Sequence, residues 1–199
     1  MTASDTSPRL DAQVAFLKET DKLKSILRAT PLIDGSRREN SAEHSWHVML
    51  YALVLADQAG PEVRIDRVIR MLLLHDIVEI DAGDHPIHGN VDHAAQEKAE
   101  KAAADRLFGL LPDDQRDDFR ALWDEFEAAE TPDAVFAKAI DRFQSPVTNL
   151  AGNGLGWRGY DVTLEKLDTR IGRPLSRGAP GLWAWLRPKL AAFLGSNHA

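Results

Sequence analysis

Apolar residues recur along the chain at the three- and four-residue spacing of amphipathic helices, which predicts helices joined by short breaks. The first predicted helix begins near Pro8, carries the apolar stripe Leu10, Val14 and Leu17, and ends at Thr30, which precedes a proline. No alternating apolar run bounded by turn residues predicts a sheet. The pattern therefore predicts an all-α chain.

Two helices with clear signals follow. The second predicted helix begins at Asn40 or Ser41, where Asn40 and Glu43 have the spacing of a capping box, and it ends at Gly60. The third spans about residues 65–80 and is apolar nearly all round in its middle, which is typical of a helix buried in the core.

The remainder of the chain continues the helical pattern, without an internal repeat or a long linker. We predict a disordered lead-in over residues 1–8 and one domain over residues 9–195. Its further helices are predicted at about 92–108, 112–129, from 132 to a glycine-rich break at 152–156, 161–171 and 181–194.

Composition restricts the chemistry. The 199 residues include 24 basic and 31 acidic side chains, a net charge of −7, which argues against binding to a nucleic-acid polymer. The absence of cysteine excludes disulfides and thiolate ligands, so any metal must be bound by histidine and carboxylates. The apolar runs are far shorter than the roughly 18 residues of a membrane span. We expect a cytoplasmic protein.

The strongest chemical signal is the pair His75-Asp76, which directly follows three leucines. Burying a carboxylate costs several kcal/mol unless it is paired or bound to a metal. The alternative is that the helix has reached the surface and both side chains are solvated. Glu79, four residues on, shares a helix face with His75, and Asp84 follows in the Gly83 turn. This composition suits a divalent metal with a further carboxylate for proton transfer.

Two other candidates lie on the second and sixth predicted helices. His44 occupies the first turn of the second helix, where a histidine is more often a surface or cap residue, and His47, one turn on, is the alternative ligand. Asp141 interrupts an apolar helix and, taken alone, favours an ion pair with Arg142 or Lys138.

Taken in order, His44, the His75-Asp76 pair and Asp141 resemble the HD-domain superfamily of metal-dependent phosphohydrolases. Residues 38–45, residues 75–79 with Gly83-Asp84, and residues 138–141 resemble successive motifs of its 5'-deoxynucleotidase branch. The resemblance covers roughly residues 10–153.

This resemblance implies an all-α, HD-domain-like helical bundle around one buried divalent metal. His44, His75, Asp76 and Asp141 match the ligand positions. Two histidines and two carboxylates suit Co, Mn, Fe, Ni or Zn, with Mg as a further candidate.

Glu79 and Asp84 match the catalytic carboxylates of the branch. The implied reaction releases phosphate from a (deoxy)nucleoside 5'-monophosphate by attack of a metal-activated water, and a homodimer is implied with it. We assign Glu79 to orienting the water or holding a ligand, and Asp84 to protonating the leaving 5' oxygen. The alternatives are a phosphatase or phosphodiesterase for another small phosphorylated metabolite, and a non-catalytic nucleotide or metal sensor.

Substrate recognition requires a cation in addition to the metal. Arg28 matches the phosphate-contacting arginine of the branch within one residue, and Arg37 and Arg38 are rival candidates. The branch has a tryptophan beside that arginine where this chain has Ala29-Thr30, which leaves the sugar preference open. Trp157 is a candidate stacking surface for a base, with a core or surface tryptophan as the alternative.

A histidine-rich loop follows Asp84. A second metal site through His85 and His88 is one interpretation of it, although a flexible loop seldom supplies the convergent geometry that a metal needs. Solvated loop residues near the mouth of the site are the favoured interpretation.

Overall fold

The computed structural model describes residues 3–89 and 92–196, and helices dominate both ranges. The predicted all-α fold is confirmed, with one small two-stranded sheet added. The helices are α1 (Ala3–Thr20), α2 (Ser41–Val54), α3 (Ile65–Leu74), α4 (Glu79–Ala82), α5 (His93–Phe108), α6 (Asp113–Ala128), α7 (Pro132–Ala151), α8 (Leu164–Leu167), α9 (Arg173–Gly178) and α10 (Pro180–Ser196). None of these helices is both long and apolar enough to cross a bilayer.

The N-terminal segment differs from the prediction. The first helix begins at Ala3 and contains Pro8, so residues 3–8 are helical where a disordered lead-in was expected. Proline is tolerated near the start of a helix, where few backbone donors have intrahelical partners to lose. Met1 and Thr2, which also belong to that predicted lead-in, lie outside the described residues.

The segment predicted as the end of the first helix is a strand. After a 3₁₀ turn at Asp21–Ser25, the chain extends into β1 (Leu27–Pro31), which pairs antiparallel with β2 (Arg38–Asn40). The first residue of β1 lies opposite the last residue of β2. A residue that precedes proline avoids the helical region, so Thr30 favours extended backbone, and pairing with β2 extends it towards Leu27.

The core is centred on α7, which packs against α2, α3, α6 and α9. The buried apolar side chains include Met71 and Leu72 of α3, Phe136 and Ile140 of α7, and Val48 of α2. Each such side chain contributes about 1.5–3 kcal/mol when it leaves water. Because α2, α3 and α7 pack together, polar residues on them or directly after them are brought to one place.

The end of α3 also departs from the prediction. The helix ends at Leu74, and the chain continues through tight turns in which Ile77 N donates to Leu74 O (3.2 Å) and Glu79 N to Asp76 O (3.0 Å). His75 and Glu79 therefore do not share one continuous helix face. Asp76 lies within these turns and is followed by two buried apolar residues, Ile77 and Val78.

The later helices agree closely with the spacing in the sequence. The predicted helices at 92–108 and 112–129 correspond to α5 and α6, and α7 ends at the glycine-rich break. The predicted helix at 161–171 is instead divided into α8 and a π-helical turn at Asp168–Gly172, which continues into α9.

Candidate metal centre and adjoining pocket

Three segments that are distant in sequence place His44, His75 and Asp141 together. His44 lies on α2, His75 directly follows α3, and Asp141 lies on α7. One potential ligand atom from each lies within 4.8 Å of the others, and all three residues are buried. His44 Nε2 donates to Asp141 Oδ1 at 2.9 Å. This geometry matches the close approach of donor atoms that a metal ion requires.

Asp76 joins the same group. Its Oδ1 lies 3.0 Å from His75 Nε2, and its Oδ2 lies 3.9 Å from His44 Nε2. The side chain is buried, so the alternative in which His75 and Asp76 are both solvated is wrong. The structure thus brings together all four residues that were matched to ligand positions.

The start of α2 fixes the position of His44. Asn40 Oδ1 accepts from Glu43 N (3.0 Å) and Asn40 N donates to Glu43 Oε2 (3.1 Å), which confirms the predicted capping box. The capping box fixes the first turn of α2, and it therefore fixes the backbone position of the next residue, His44. The alternative ligand His47 lies outside the group, with its ring against Tyr51 at 4.8 Å between centroids.

The tautomer of His75 is fixed by the backbone. Its Nδ1 lies 2.7 Å from Leu72 O, and because a carbonyl only accepts, Nδ1 carries the proton. Its Nε2 is buried and has no hydrogen-bond partner among the described residues. A buried imidazole lone pair beside a second histidine and two carboxylates fits a divalent metal, and a carbonyl on the other nitrogen is the usual way to orient such a ligand.

Arg28 is the cation next to this group. It lies on β1 with a side chain only 13% exposed, and its Nη1 donates to Asp76 Oδ2 at 2.9 Å. The same nitrogen lies 3.3 Å from Asp84 Oδ1 and 3.6 Å from Glu79 Oε1. Burial lowers the pKa of Arg28, but these three carboxylates outweigh it and raise the pKa above its ordinary value. Arg28 is therefore permanently charged and holds the carboxylates together.

Glu79 and Asp84 keep protons unusually well for carboxyl groups. Burial, followed by repulsion from Asp76, raises the pKa of Glu79 to about 9. Burial and Asp76 also raise the pKa of Asp84, against the attraction of Arg28. The turn that returns Asp84 to the site requires a positive φ of 78° at Gly83, which glycine adopts without strain. Carboxyl groups with raised pKa values suit proton transfer.

Glu39 is a site residue that the sequence analysis missed. It is buried beside His44, with its Oε2 3.6 Å from His44 Nδ1, and its Oε1 accepts from Gln144 Nε2 at 3.1 Å. Burial and Arg28 lower the pKa of His44, but the hydrogen bond to Asp141 and the nearby carboxyl groups of Glu39 and Asp76 raise it to about 9. Its position in the sequence could have identified it, because Glu39 directly precedes the capping box and lies within residues 38–45, which resemble a family motif.

A cavity of about 640 Å³, counted with its part open to solvent, adjoins the charged group. Arg28, Asp84 and Asp141 line one end of it, so the metal centre faces the cavity. The other walls include Ala29, Thr30, His85, His88, Arg142, Ser145, Asn149, Trp157 and Tyr160.

Trp157, the candidate stacking residue, does lie in the cavity wall, although it is only 8% exposed. Its ring packs edge-on against Phe193, with 5.7 Å between centroids. Tyr160, which the sequence analysis did not select, lines the same wall. Asn149 Oδ1 accepts from Gly156 N at 2.9 Å, which anchors the loop that carries Trp157 to α7.

Arg37 is not brought to the cavity, which corrects its selection as a substrate-binding residue. Its guanidinium forms two bonds to Glu43, at 2.8 and 2.6 Å, and its side chain is about half exposed. Glu43 is already fixed by the capping box, so it holds Arg37 on the outer side of the β1–β2 connection. The side chain of Arg38 is likewise exposed.

His85 and His88 line the cavity, and neither belongs to a close group of three or more potential ligands among the described residues. His85 Nδ1 lies 3.1 Å from Gly83 O, and the ring of His88 lies 6.3 Å from that of Tyr160. Burial, with Arg170 and Lys166 nearby, lowers the pKa of His88 to about 4. Within residues 3–89 and 92–196, the group of three or more potential ligands whose atoms all lie close to one another is that of His44, His75 and Asp141.

Several curated proteins that are similar to this chain are named 5'-deoxynucleotidases. The 5'-deoxynucleotidase HDDC2 of Danio rerio is 28% identical over 136 residues, which are 68% of this chain and 66% of that protein. The 5'-deoxynucleotidase of Klebsiella pneumoniae strain 342 is 33% identical over 136 residues, which are 64% of this chain and 68% of that protein. The chain spans about two thirds of the length of these relatives.

A solved structure is more similar still. The crystal structure of a predicted metal-dependent phosphohydrolase from Magnetospirillum magnetotacticum MS-1 is 49% identical, with a TM-score of 0.88 over 94% of this chain and 93% of that one. The family model described as HD domain matches residues 20–183, a range that contains every member of the charged group. Because this model matches well over half of the chain, the chain belongs to the HD-domain family.

Proposed function

We propose that this protein is a metal-dependent phosphomonoesterase that releases phosphate from (deoxy)nucleoside 5'-monophosphates. The observation that carries the proposal is the buried, unpartnered Nε2 of His75, which lies among His44, Asp76 and Asp141 at the end of an open cavity. The 5'-deoxynucleotidase relatives support the substrate class, and the phosphohydrolase structure supports the reaction.

We propose His44, His75, Asp76 and Asp141 as the ligands of one divalent transition metal. Imidazole nitrogens and carboxylate oxygens suit Co, Mn, Fe, Ni or Zn, with Mg as a further candidate. When bound, such an ion polarises a phosphoryl oxygen and lowers the pKa of water. Arg28 holds Asp76 by a hydrogen bond of 2.9 Å and so orients one ligand.

Asp84 and Glu79 divide the proton chemistry in this proposal. Asp84 lines the cavity and is the group placed to protonate the leaving 5' oxygen. Glu79 is set back behind Arg28, 3.6 Å from its guanidinium, and it orients the attacking water or a ligand.

The division has a direct test. Asp84→Asn is expected to lower kcat about 10²- to 10⁴-fold on nucleotides, the usual contribution of a general acid. The loss is expected to be much smaller on 4-nitrophenyl phosphate, because nitrophenolate leaves without a proton. Equal losses of kcat on both substrates would show that Asp84 is not the proton donor. Wild-type rates in both Asp84→Asn and Glu79→Gln would refute the proposed roles of both residues.

Positions for the sugar and the base along the cavity walls are also part of this proposal. Ala29 and Thr30 directly follow Arg28 and line the cavity, and they are proposed to face the sugar of a substrate whose phosphate lies at the metal centre. Trp157 and Tyr160 are the aromatic residues of the wall and are proposed to contact the base. The ratio of kcat/KM for a deoxynucleotide to kcat/KM for the corresponding ribonucleotide measures the sugar preference of a site that contains Ala29 and Thr30.

The experiment that tests the proposal is phosphate release from deoxy- and ribonucleoside 5'-monophosphates. Metal-stripped protein would be supplied separately with Co, Mn, Mg, Zn, Fe or Ni, and 3'-monophosphates and simple esters would be included. Metal-dependent release from 5'-monophosphates is the expected result. If only other phosphate esters are hydrolysed, the proposed substrate class is wrong. If the protein binds metal but hydrolyses none of the substrates, the proposed enzymatic activity is wrong and a sensor is favoured.

We also propose a cytoplasmic homodimer in which residues 9–195 form the single domain. One face of α2 exposes Trp46, Leu50, Leu53 and Val54, and Trp185 of α10 is also exposed. A run of large apolar side chains on one helix face is typical of a protein contact. Light scattering is expected to give twice the chain mass, and Leu53→Glu is expected to give a monomer; a monomeric wild type would overturn the dimer.

A further inference from the structure

One face of α7 forms a continuous wall of the cavity. Arg142, Ser145 and Asn149 all line it, and their spacing of three and four residues places them on one side of the helix. Asp141, at the metal centre, is adjacent to the first of them. At about 1.5 Å of rise per residue, the wall extends about 10 Å from Arg142 to Asn149, away from the charged group.

The two arginines that line the cavity differ in how their charge is used. Arg28 donates to Asp76 at 2.9 Å and lies within 3.9 Å of Glu39. It also lies close to Glu79 and Asp84, as described above. The charge of Arg28 is thus already offset by fixed carboxylates, and little of it is available to a bound anion.

Arg142 has no comparable set of partners. Its Nη1 lies 3.7 Å from Asp141 Oδ2, too far for a hydrogen bond, and it donates no hydrogen bond to the residues that the structure describes. Its side chain is 36% exposed, and it lines the cavity. A guanidinium offers five N–H donors in a planar fork that matches two oxygens of a phosphate.

We propose that Arg142 forms a phosphate-binding subsite in which its guanidinium donates to non-bridging oxygens of the substrate phosphate. This inference rests on the proposed function, because it assigns the phosphate end of the same cavity. A phosphate dianion placed there approaches Asp84 and Asp141, both on the cavity wall, and Arg142 is the cation that offsets this repulsion. The nucleoside then extends along Ser145 and Asn149 towards Trp157.

The kinetic test compares wild type, Arg142→Gln and Arg142→Lys. Arg177→Gln serves as the matched control, since Arg177 is an exposed arginine of α9 that does not line the cavity. Three constants are measured: KM for the best 5'-monophosphate, and the inhibition constants of inorganic phosphate and of the corresponding uncharged nucleoside.

Arg142→Gln is expected to raise KM and the inhibition constant of phosphate about tenfold or more, the usual loss for a hydrogen bond to a charged group. The inhibition constant of the nucleoside is expected to stay at its wild-type value, and Arg142→Lys to recover part of the loss. Wild-type KM in Arg142→Gln, or equal weakening of phosphate and nucleoside, would overturn the subsite.

A binding measurement separates this proposal from the proposed function. Wild type and Arg142→Gln, both loaded with Mn, are titrated calorimetrically with inorganic phosphate. A dissociation constant at least tenfold weaker in the variant supports the subsite even if no nucleotide is hydrolysed. Equal constants, or no binding by wild type, overturn it even if nucleotides are hydrolysed.

Discussion

Two groups of charged side chains in the described part of the chain differ in how their charge is balanced. In one, Asp133 at the start of α7 and Glu125 of α6 face Arg64 and Arg67. In the other, the metal centre, five carboxylates surround Arg28: Glu39, Asp76, Glu79, Asp84 and Asp141.

The Asp133 group is balanced in charge without a ligand, and Arg67 Nε is its one buried polar atom without a hydrogen-bond partner among the described residues. Asp133 is only 2% exposed, and it accepts from Arg64 N at 2.7 Å and from Arg64 Nη2 at 2.6 Å. Arg67 donates to Glu125. Two anions face two cations, so this cluster stabilises the junction of α3, α6 and α7 and leaves no charge to be neutralised.

The metal centre is incomplete in both charge and hydrogen bonding. One buried arginine stands among five acidic side chains, of which Glu79 alone has its pKa raised to about 9 and keeps its proton near neutral pH. Polar atoms of His75, Glu79 and Glu39 are buried without partners among the described residues. Unpaired polar atoms and excess negative charge are expensive to bury. The metal centre thus differs from the Asp133 group in its excess of acidic side chains and in its larger number of unpartnered buried atoms, whereas burial and ion pairs are common to both clusters.

The largest effect is expected from Asp76→Asn, which keeps the shape of the side chain and removes its charge. Loss of a ligand costs more than loss of an outer partner, so kcat/KM should fall by more than about a hundredfold. Bound metal per chain, measured by plasma emission spectroscopy, should fall with it. Full metal content with wild-type kinetics would contradict the assignment of Asp76.

The matched change in the balanced cluster is Asp133→Asn. It removes charged hydrogen bonds to Arg64, which is itself largely exposed, and should cost about 2 kcal/mol, or a fall of about 4–8 °C in Tm. Metal content and kcat/KM should remain at wild-type values. Loss of metal in this variant would show that the two clusters are not independent.

The pH dependence of stability distinguishes the clusters more finely. Metal-free folded protein keeps the proton of Glu79 up to a pKa of about 9, whereas the unfolded chain releases it near 4.5. Stability should therefore fall as pH rises through this window. Glu79→Gln should reduce the decrease of Tm with rising pH. The decrease that remains is due to His44, whose pKa is also raised to about 9. An unchanged slope in the variant would refute the raised pKa.

The smallest effect is expected from Arg37→Gln. Its exposed pair with Glu43 is screened by solvent and lies away from the cavity, so KM and kcat should match wild type. A raised KM would restore Arg37 as a substrate-binding residue and would require the β1–β2 connection to move towards the cavity.

Local rules predicted much of this fold. The capping box at Asn40 and Glu43 and the helices that became α5 and α6 depend on neighbours within four residues, and the structure agrees with each. Local rules failed where pairing between segments decided the backbone. The helix predicted to end at Thr30 gave way to β1 because β2 offered it a partner.

The sequence by itself determined the ordered set of residue types, His44, His75-Asp76 and Asp141, and the helical periodicity that buries their neighbours. Only the tertiary structure decided which charges meet. It placed Arg28 among the carboxylates, Arg37 at the surface and Arg142 on the cavity wall, and it added Glu39 behind His44. The physical reason is that electrostatic interactions depend on distance in space and on burial, and neither is determined by separation along the chain.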